Sequence, residues 1–88
     1  MVRVETALSE LREIVASGTR PDMARCRRLL IRATSAMPDL NLASLLSDRA
    51  GVLIATLELV EALGSERHYQ VDMVMDVLDE IEEAGRPQ

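Results

Sequence analysis

The chain is predicted to be all-α, an antiparallel (up-down-up-down) four-helix bundle. Three observations predict it. Apolar residues recur at three- and four-residue spacing in four separate stretches, which marks helices with a buried face. Gly18, the Pro38-Asp39 pair and Gly64 punctuate those stretches. The links between them are short, and short links make consecutive helices antiparallel neighbours. The expected helices cover residues 3–17, 21–36, 41–63 and 66–84 of one domain, 1–88, with a frayed tail at 85–88.

In the first helix Val4, Leu8, Leu11 and Val15 share a face, with Ala7 and Ile14 beside them. Glu5, Glu10, Arg12 and Glu13 take the other side, and Gly18 is a natural stop. Before the second helix, Thr19 can cap, Pro21 suits a first turn and Asp22 adds a carboxylate at the positive end. Its inward stripe is Met23, Cys26, Leu30, Ala33 and Met37; Pro38 and Asp39 break it.

The third helix is the most apolar, with no charge from Ala50 through Leu57. One stripe is Leu42, Leu46, Leu53, Leu57 and Val60; a second is Leu45, Val52, Leu59 and Leu63; Ile54 lies on the far flank. Together they exceed the roughly 100° stripe of an ordinary surface helix, so more than one side needs cover. The strip left over holds Asp48, Gly51, Ala55, Glu58 and Ala62, and the small Gly51 and Ala55 would let another backbone approach. The candidate dimer interface is therefore Leu45, Gly51, Val52, Ala55 and Leu59. Ser47 could cap a break at Ser47-Asp48, but one continuous helix is expected. At about 1.5 Å per residue it would be near 33 Å long, against roughly 24 Å for the first two, and would overhang them. Arg49 falls on the apolar stripe, where a lone charge is costly, and is expected to pair with Glu80, Glu82 or Glu83. Gly64 ends this helix and Ser65 caps the fourth, whose inward face is Gln70, Val71, Val74, Val77, Leu78 and Ile81.

Composition narrows the function. Tyr69 is the only aromatic residue, so the core is aliphatic. A domain this small, without disulfides or aromatic packing, is a candidate for stabilisation by self-association. The net charge of −5 disfavours general nucleic-acid binding, and all ten basic residues are Arg. The single cysteine excludes an internal disulfide and fits a reducing compartment. No signal peptide or membrane-spanning run is read, so a cytoplasmic protein is expected.

Charge segregates by helix. The second helix carries Arg20, Arg25, Arg27, Arg28 and Arg32, with Arg25, Arg28 and Arg32 lining its outward face. The fourth presents Asp72, Asp76, Asp79 and Glu83, with Tyr69 and Met73 alongside. Each face could simply be solvated; together they suggest electrostatic recognition. The candidate protein-binding residues are Arg25, Arg28, Arg32, Tyr69, Asp72, Met73 and Asp76. A nucleic-acid role for the Arg face is an alternative. The second and third helices invite a helix-turn-helix comparison, but the third lacks base-reading polar residues and no aromatics interleave with the arginines.

Glu58 and Glu61, with Asp76 and Asp79, form an ExxE…DxxD arrangement on two neighbouring helices. It resembles the carboxylate pattern of the all-α nucleotide pyrophosphohydrolases. The resemblance implies Mg²⁺ held by acids from facing helices, and so an enzymatic alternative. It covers four residues, with no lysine to hold phosphate, and in the bundle these acids point mostly outward. His68 stands alone, and Cys26, though near arginines, lies on an inward stripe, where an inert thiol is expected. No catalytic, cofactor or metal residues are assigned. The expectation is a small cytoplasmic helical protein (an adaptor, regulator or chaperone-like module) that binds another protein and forms a homodimer.

Overall fold

Two Pro-Asp pairs start the second and third helices. The computed structural model describes residues 4–17, 20–57 and 64–85, with only the backbone at 64 and 65. Its helices are α1 (Val4–Ala16), α2 (Met23–Thr34), α3 (Leu40–Thr56) and α4 (Gly64–Ala84). Asp22 caps α2 by accepting from the Arg25 backbone N–H at 3.2 Å, and Asp39 caps α3 by accepting from that of Leu42 at 3.0 Å. Asp22, not Thr19, is thus the cap of α2, and Thr19 lies outside the described residues. A Pro ahead of the Asp keeps the preceding chain out of the helix, and the carboxylate meets the orphan N–H groups at once.

The four helices form an all-α bundle in which α1 packs on α2, α2 on α3, α3 on α4 and α4 back on α1. Opposite ends meet, as the antiparallel arrangement requires. The Gln70 side chain, early in α4, reaches the end of α3, while a Cβ added to Gly85, just past α4, would lie 4.0 Å from Met37 in the α2–α3 connection. α3 runs unbroken through Ser47 and Asp48. Its described part has 17 residues against 13 and 12 for α1 and α2, and the longest described helix is α4, with 21. The expected continuation of α3 through residues 58–63 lies outside the described residues. Gly64, expected to stop the third helix, is the first residue of α4, and Ser65 lies inside α4 rather than capping it. Glycine can occupy either role because it has no Cβ to clash.

The core is one continuous aliphatic cluster. Ala7, Leu8, Leu11 and Val15 enter it from α1, and Cys26, Leu29, Leu30 and Ala33 from α2, with Met37 below. Val74, Val77, Leu78 and Ile81 enter from α4. These are the inward faces expected from spacing, with Leu29 added and Val4, Ile14, Met23 and Val71 at the margin.

α3 departs from expectation. Its buried residues are Ala43, Leu46, Ala50, Ile54 and Leu57, which occupy an arc of only about 80°. Ile54, expected on the far flank, is fully buried, whereas Leu45 and Val52 are 63% and 66% exposed and Leu42 lies at the boundary. Of the first leucine stripe Leu46 and Leu57 are buried, while Leu45 and Val52 of the second are left uncovered by the chain itself. The bundle seats α3 on two alanines and three large residues, Leu46, Ile54 and Leu57.

α4 also closes the C-terminal end of α3. The Leu57 N–H turns back to the Ile54 carbonyl at 3.0 Å, and the Leu53 carbonyl accepts from Gln70 Nε2 at 2.9 Å. Gln70 is buried, so this bond satisfies a donor and an acceptor that water cannot reach freely. Replacing Gln70 with Leu is expected to cost about 1–3 kcal/mol in urea unfolding, because the Leu53 carbonyl loses its partner. Amide exchange should accelerate first at the end of α3. Tyr69→Ala, one residue away but exposed, should stay within about 0.5 kcal/mol of the parent.

Candidate functional site

Because α3 buries a narrow arc, its opposite side carries apolar surface. Leu45, Asp48, Val52 and Ala55 share an outward arc of about 80°, and all four are exposed. Among the described residues six large hydrophobic side chains are exposed: Leu40, Leu42, Leu45 and Val52 of α3, with Ile31 of α2 and Tyr69 of α4. Excess apolar surface is thus concentrated on one helix. Between α2 and α3 runs a shallow groove of about 540 Å³, whose walls include Met23, Arg27, Ile31, Asp48, Gly51 and Ala55.

Of the five candidate dimer residues, Gly51, Val52 and Ala55 line this groove together. Leu45, Val52 and Ala55 are exposed on α3, Gly51 is half-buried in the groove wall, and Leu59 lies outside the described residues. A Cβ added to Gly51 meets nothing within 4 Å, so no neighbour in the chain depends on that glycine.

The basic face of α2 is divided between two neighbours. Arg25, Arg28 and Arg32 are all exposed, but Arg25 donates to Glu10 of α1 at 3.2 Å. Arg28 and Arg32 form no ion pair among the described residues, and neither does Arg27, which lies on the α3 side of α2 and lines the groove. Spacing alone did not single out Arg27 or Ile31. The signal was an arginine and a large apolar residue falling between the inward stripe and the Arg25/Arg28/Arg32 face.

α4 shows the same division. Tyr69, Asp72 and Asp76 are exposed, Met73 is half-buried beside them, and all four share an arc of about 100°. The acids nearer α1 are engaged: Arg12 donates to Asp79 Oδ1 at 2.9 Å and to Glu82 Oε1 at 3.3 Å. On the α3 side Arg49 approaches Glu80 at 3.9 Å with both side chains more than half exposed, so its head reaches water while its stem packs. Arg49 thus pairs with one of its three expected partners. Arg12 was read as an ordinary surface residue, and only the packing of α1 against α4 reveals its bridging role.

Of the ExxE…DxxD acids, Asp76 and Asp79 are exposed, Asp79 is occupied by Arg12, and Glu58 and Glu61 lie outside the described residues. Among the described residues no three His, Cys, Asp or Glu side chains come together at metal-binding distances. His68 is exposed. Cys26 is fully buried, and burial pushes its thiol pKa up, with Asp22 adding to the rise and Arg25 opposing it. The neighbouring arginines therefore do not activate it. No described helix is long and apolar enough to cross a membrane.

Two measurements test this geometry. For Cys26 the folded pKa lies above the unfolded one, so the thiol's contribution to stability is complete below the unfolded value and is lost as pH rises through the folded value. The stability difference between the parent and Cys26→Ala should be constant from pH 6 to 8 and shift against the parent above about pH 9. Aromatic-disulfide labelling of Cys26 should require unfolding. At Gly51, Gly51→Ala should raise stability by about 0.5–1 kcal/mol in urea unfolding, since the helix gains propensity and nothing is displaced.

In comparison with known proteins, no family model, curated protein or solved structure matches this chain.

Proposed function

We propose that the protein acts by binding another protein, as a small helical interaction module that works as a homodimer, with the outward side of α3 as its contact surface. One observation carries this reading: α3 holds four of the six exposed large hydrophobic side chains among the described residues, and two of them, Leu45 and Val52, lie together on its outward arc. Scattered exposed leucines need no explanation, but several on one helix mark a surface that gains from being covered. The molecule is 40 Å long and 18–22 Å wide, so a lengthwise side offers the area of a standard interface, about 800 Å² per partner. Charges on the flanks give the polar rim of a specific interface, and Asp48 is the one charge within the ridge itself.

The stripe of Tyr69, Asp72, Met73 and Asp76 serves the same role on the α4 flank, where an exposed tyrosine beside a methionine is an adaptable contact. On α2, Arg28 and Arg32 form no ion pair among the described residues, while Arg25 is held by Glu10.

Sedimentation equilibrium tests the reading. The parent should behave as a reversible dimer, and Leu45→Glu with Val52→Glu should be monomeric yet equally helical, because both positions face outward. A parent that stays monomeric at millimolar concentration would remove the homodimer. A double variant that still dimerises would move the contact off α3.

A further inference from the structure

The groove between α2 and α3 holds apolar and charged side chains for which the chain itself supplies no partner. Resting on the reading above that the protein binds another protein, we infer that this groove receives an amphipathic helix of that partner, apolar toward the groove, with an acid beside Arg27 and a base beside Asp48.

The first support is Gly51. Glycine in a helix interior costs stability, and Gly51 lies in the interior of α3. A Cβ there would meet nothing within 4 Å, so no neighbour in the fold requires its absence. The space it leaves belongs to the groove. A residue that weakens its own helix and serves no contact within the chain fits a place where something from outside approaches the backbone closely.

The lining is the second. Ile31 on the α2 wall and Val52 on the α3 wall are 65% and 66% exposed, and Met23 and Ala55 add to the apolar surface between the helices. Charge is the third. Arg27 stands on the α2 wall and Asp48 on the α3 wall, both exposed, and neither forms an ion pair among the described residues. Each lies one helical turn from the large apolar residue of its own wall, Arg27 from Ile31 and Asp48 from Val52. A wholly apolar cover would strip water from both charges and give nothing back. A cover with opposite charges on its two flanks answers both.

Dimensions and chemistry select a helix as the occupant. The lining runs from Met23 to Ile31 on α2 and from Ser47 to Ala55 on α3, about 12 Å on each wall at roughly 1.5 Å per residue. That is about two turns, enough for a partner helix to seat apolar residues at i, i+3 or i+4, and i+7. An extended segment fits poorly, because both walls are α-helical and their backbone groups are already bonded within α2 and α3. Small-molecule sites enclose most of their ligand, and this groove is shallow. Val52 and Ala55 belong also to the outward arc of α3, so the partner helix and a second copy exclude one another there.

Selection from a displayed library of helical peptides about four turns long tests the inference. Peptides enriched on the parent should carry apolar residues at three- and four-residue spacing, an acid on one flank and a base on the other. Selection on Arg27→Glu should replace that acid with a base. Gly51→Leu fills the groove and improves helix propensity, so it should weaken an enriched peptide about tenfold or more by fluorescence anisotropy while urea unfolding becomes no easier. Ile31→Glu, at an exposed position, should weaken it comparably with circular dichroism unchanged. A library that yields no binder, or peptides that bind Gly51→Leu and Ile31→Glu as tightly as the parent, would overturn the groove as the site. Peptides that keep their acid against Arg27→Glu would overturn the charge assignment. Anisotropy reads the peptide and sedimentation reads the homodimer, so the two readings fail separately.

Discussion

The narrow arc on which α3 is seated governs the rest of the molecule. Ala43 and Ala50 face the core, with Leu46, Ile54 and Leu57 on the same arc. A helix that buries so narrow an arc leaves large apolar residues on its other sides. Turning α3 by about 150° would bury Leu45 and Val52 but withdraw Ala50 and Ile54. It would also turn the Leu53 carbonyl away from Gln70 and Arg49 away from Glu80, two contacts that tie α3 to α4. The rotation that closes the core is therefore the one that leaves an apolar ridge facing out.

The second regularity is electrostatic. α1 supplies partners for charges on both its neighbours: Glu10 holds Arg25 of α2, and Arg12 spans Asp79 and Glu82 of α4. These contacts are partly or wholly solvated, so each contributes modestly to stability, about 1 kcal/mol or less. Their effect on the surface is larger. They occupy charges on the side of the bundle that contains α1, whereas Arg27, beside α3, forms no ion pair among the described residues.

Inside, the protein works without aromatic rings. A core of leucine, valine, isoleucine, alanine, methionine and one cysteine fills the space among four helices, and Tyr69 stays outside. Two buried polar side chains meet backbone, while Arg67 Nη2 is buried without a partner among the described residues. Gln70 reaches the Leu53 carbonyl, and the Thr34 hydroxyl donates to the Leu30 carbonyl at 2.9 Å. Cys26 belongs to this interior as a small apolar residue, its thiol kept neutral by desolvation rather than activated by the arginines beside it in sequence.

Periodicity, breakers and capping residues by themselves determined that four helices form, where α1 and α2 lie to within about two residues, and which faces of α1, α2 and α4 turn inward. Those faces were legible because in each the large apolar residues fall on one stripe, so hydrophobicity alone orients the helix. α3 has leucines, valine and isoleucine around most of its circumference, so hydrophobicity does not choose a side. There the choice fell to fit, which depends on how closely α2 and α4 approach and on whether the Leu53 carbonyl finds a donor. The same holds for the charges. Their segregation by helix could be read along the chain, but which arginines are spent on Glu10, Asp79 and Glu82 depends on α1 lying between α2 and α4, a fact of three-dimensional neighbourhood that no spacing along one helix contains.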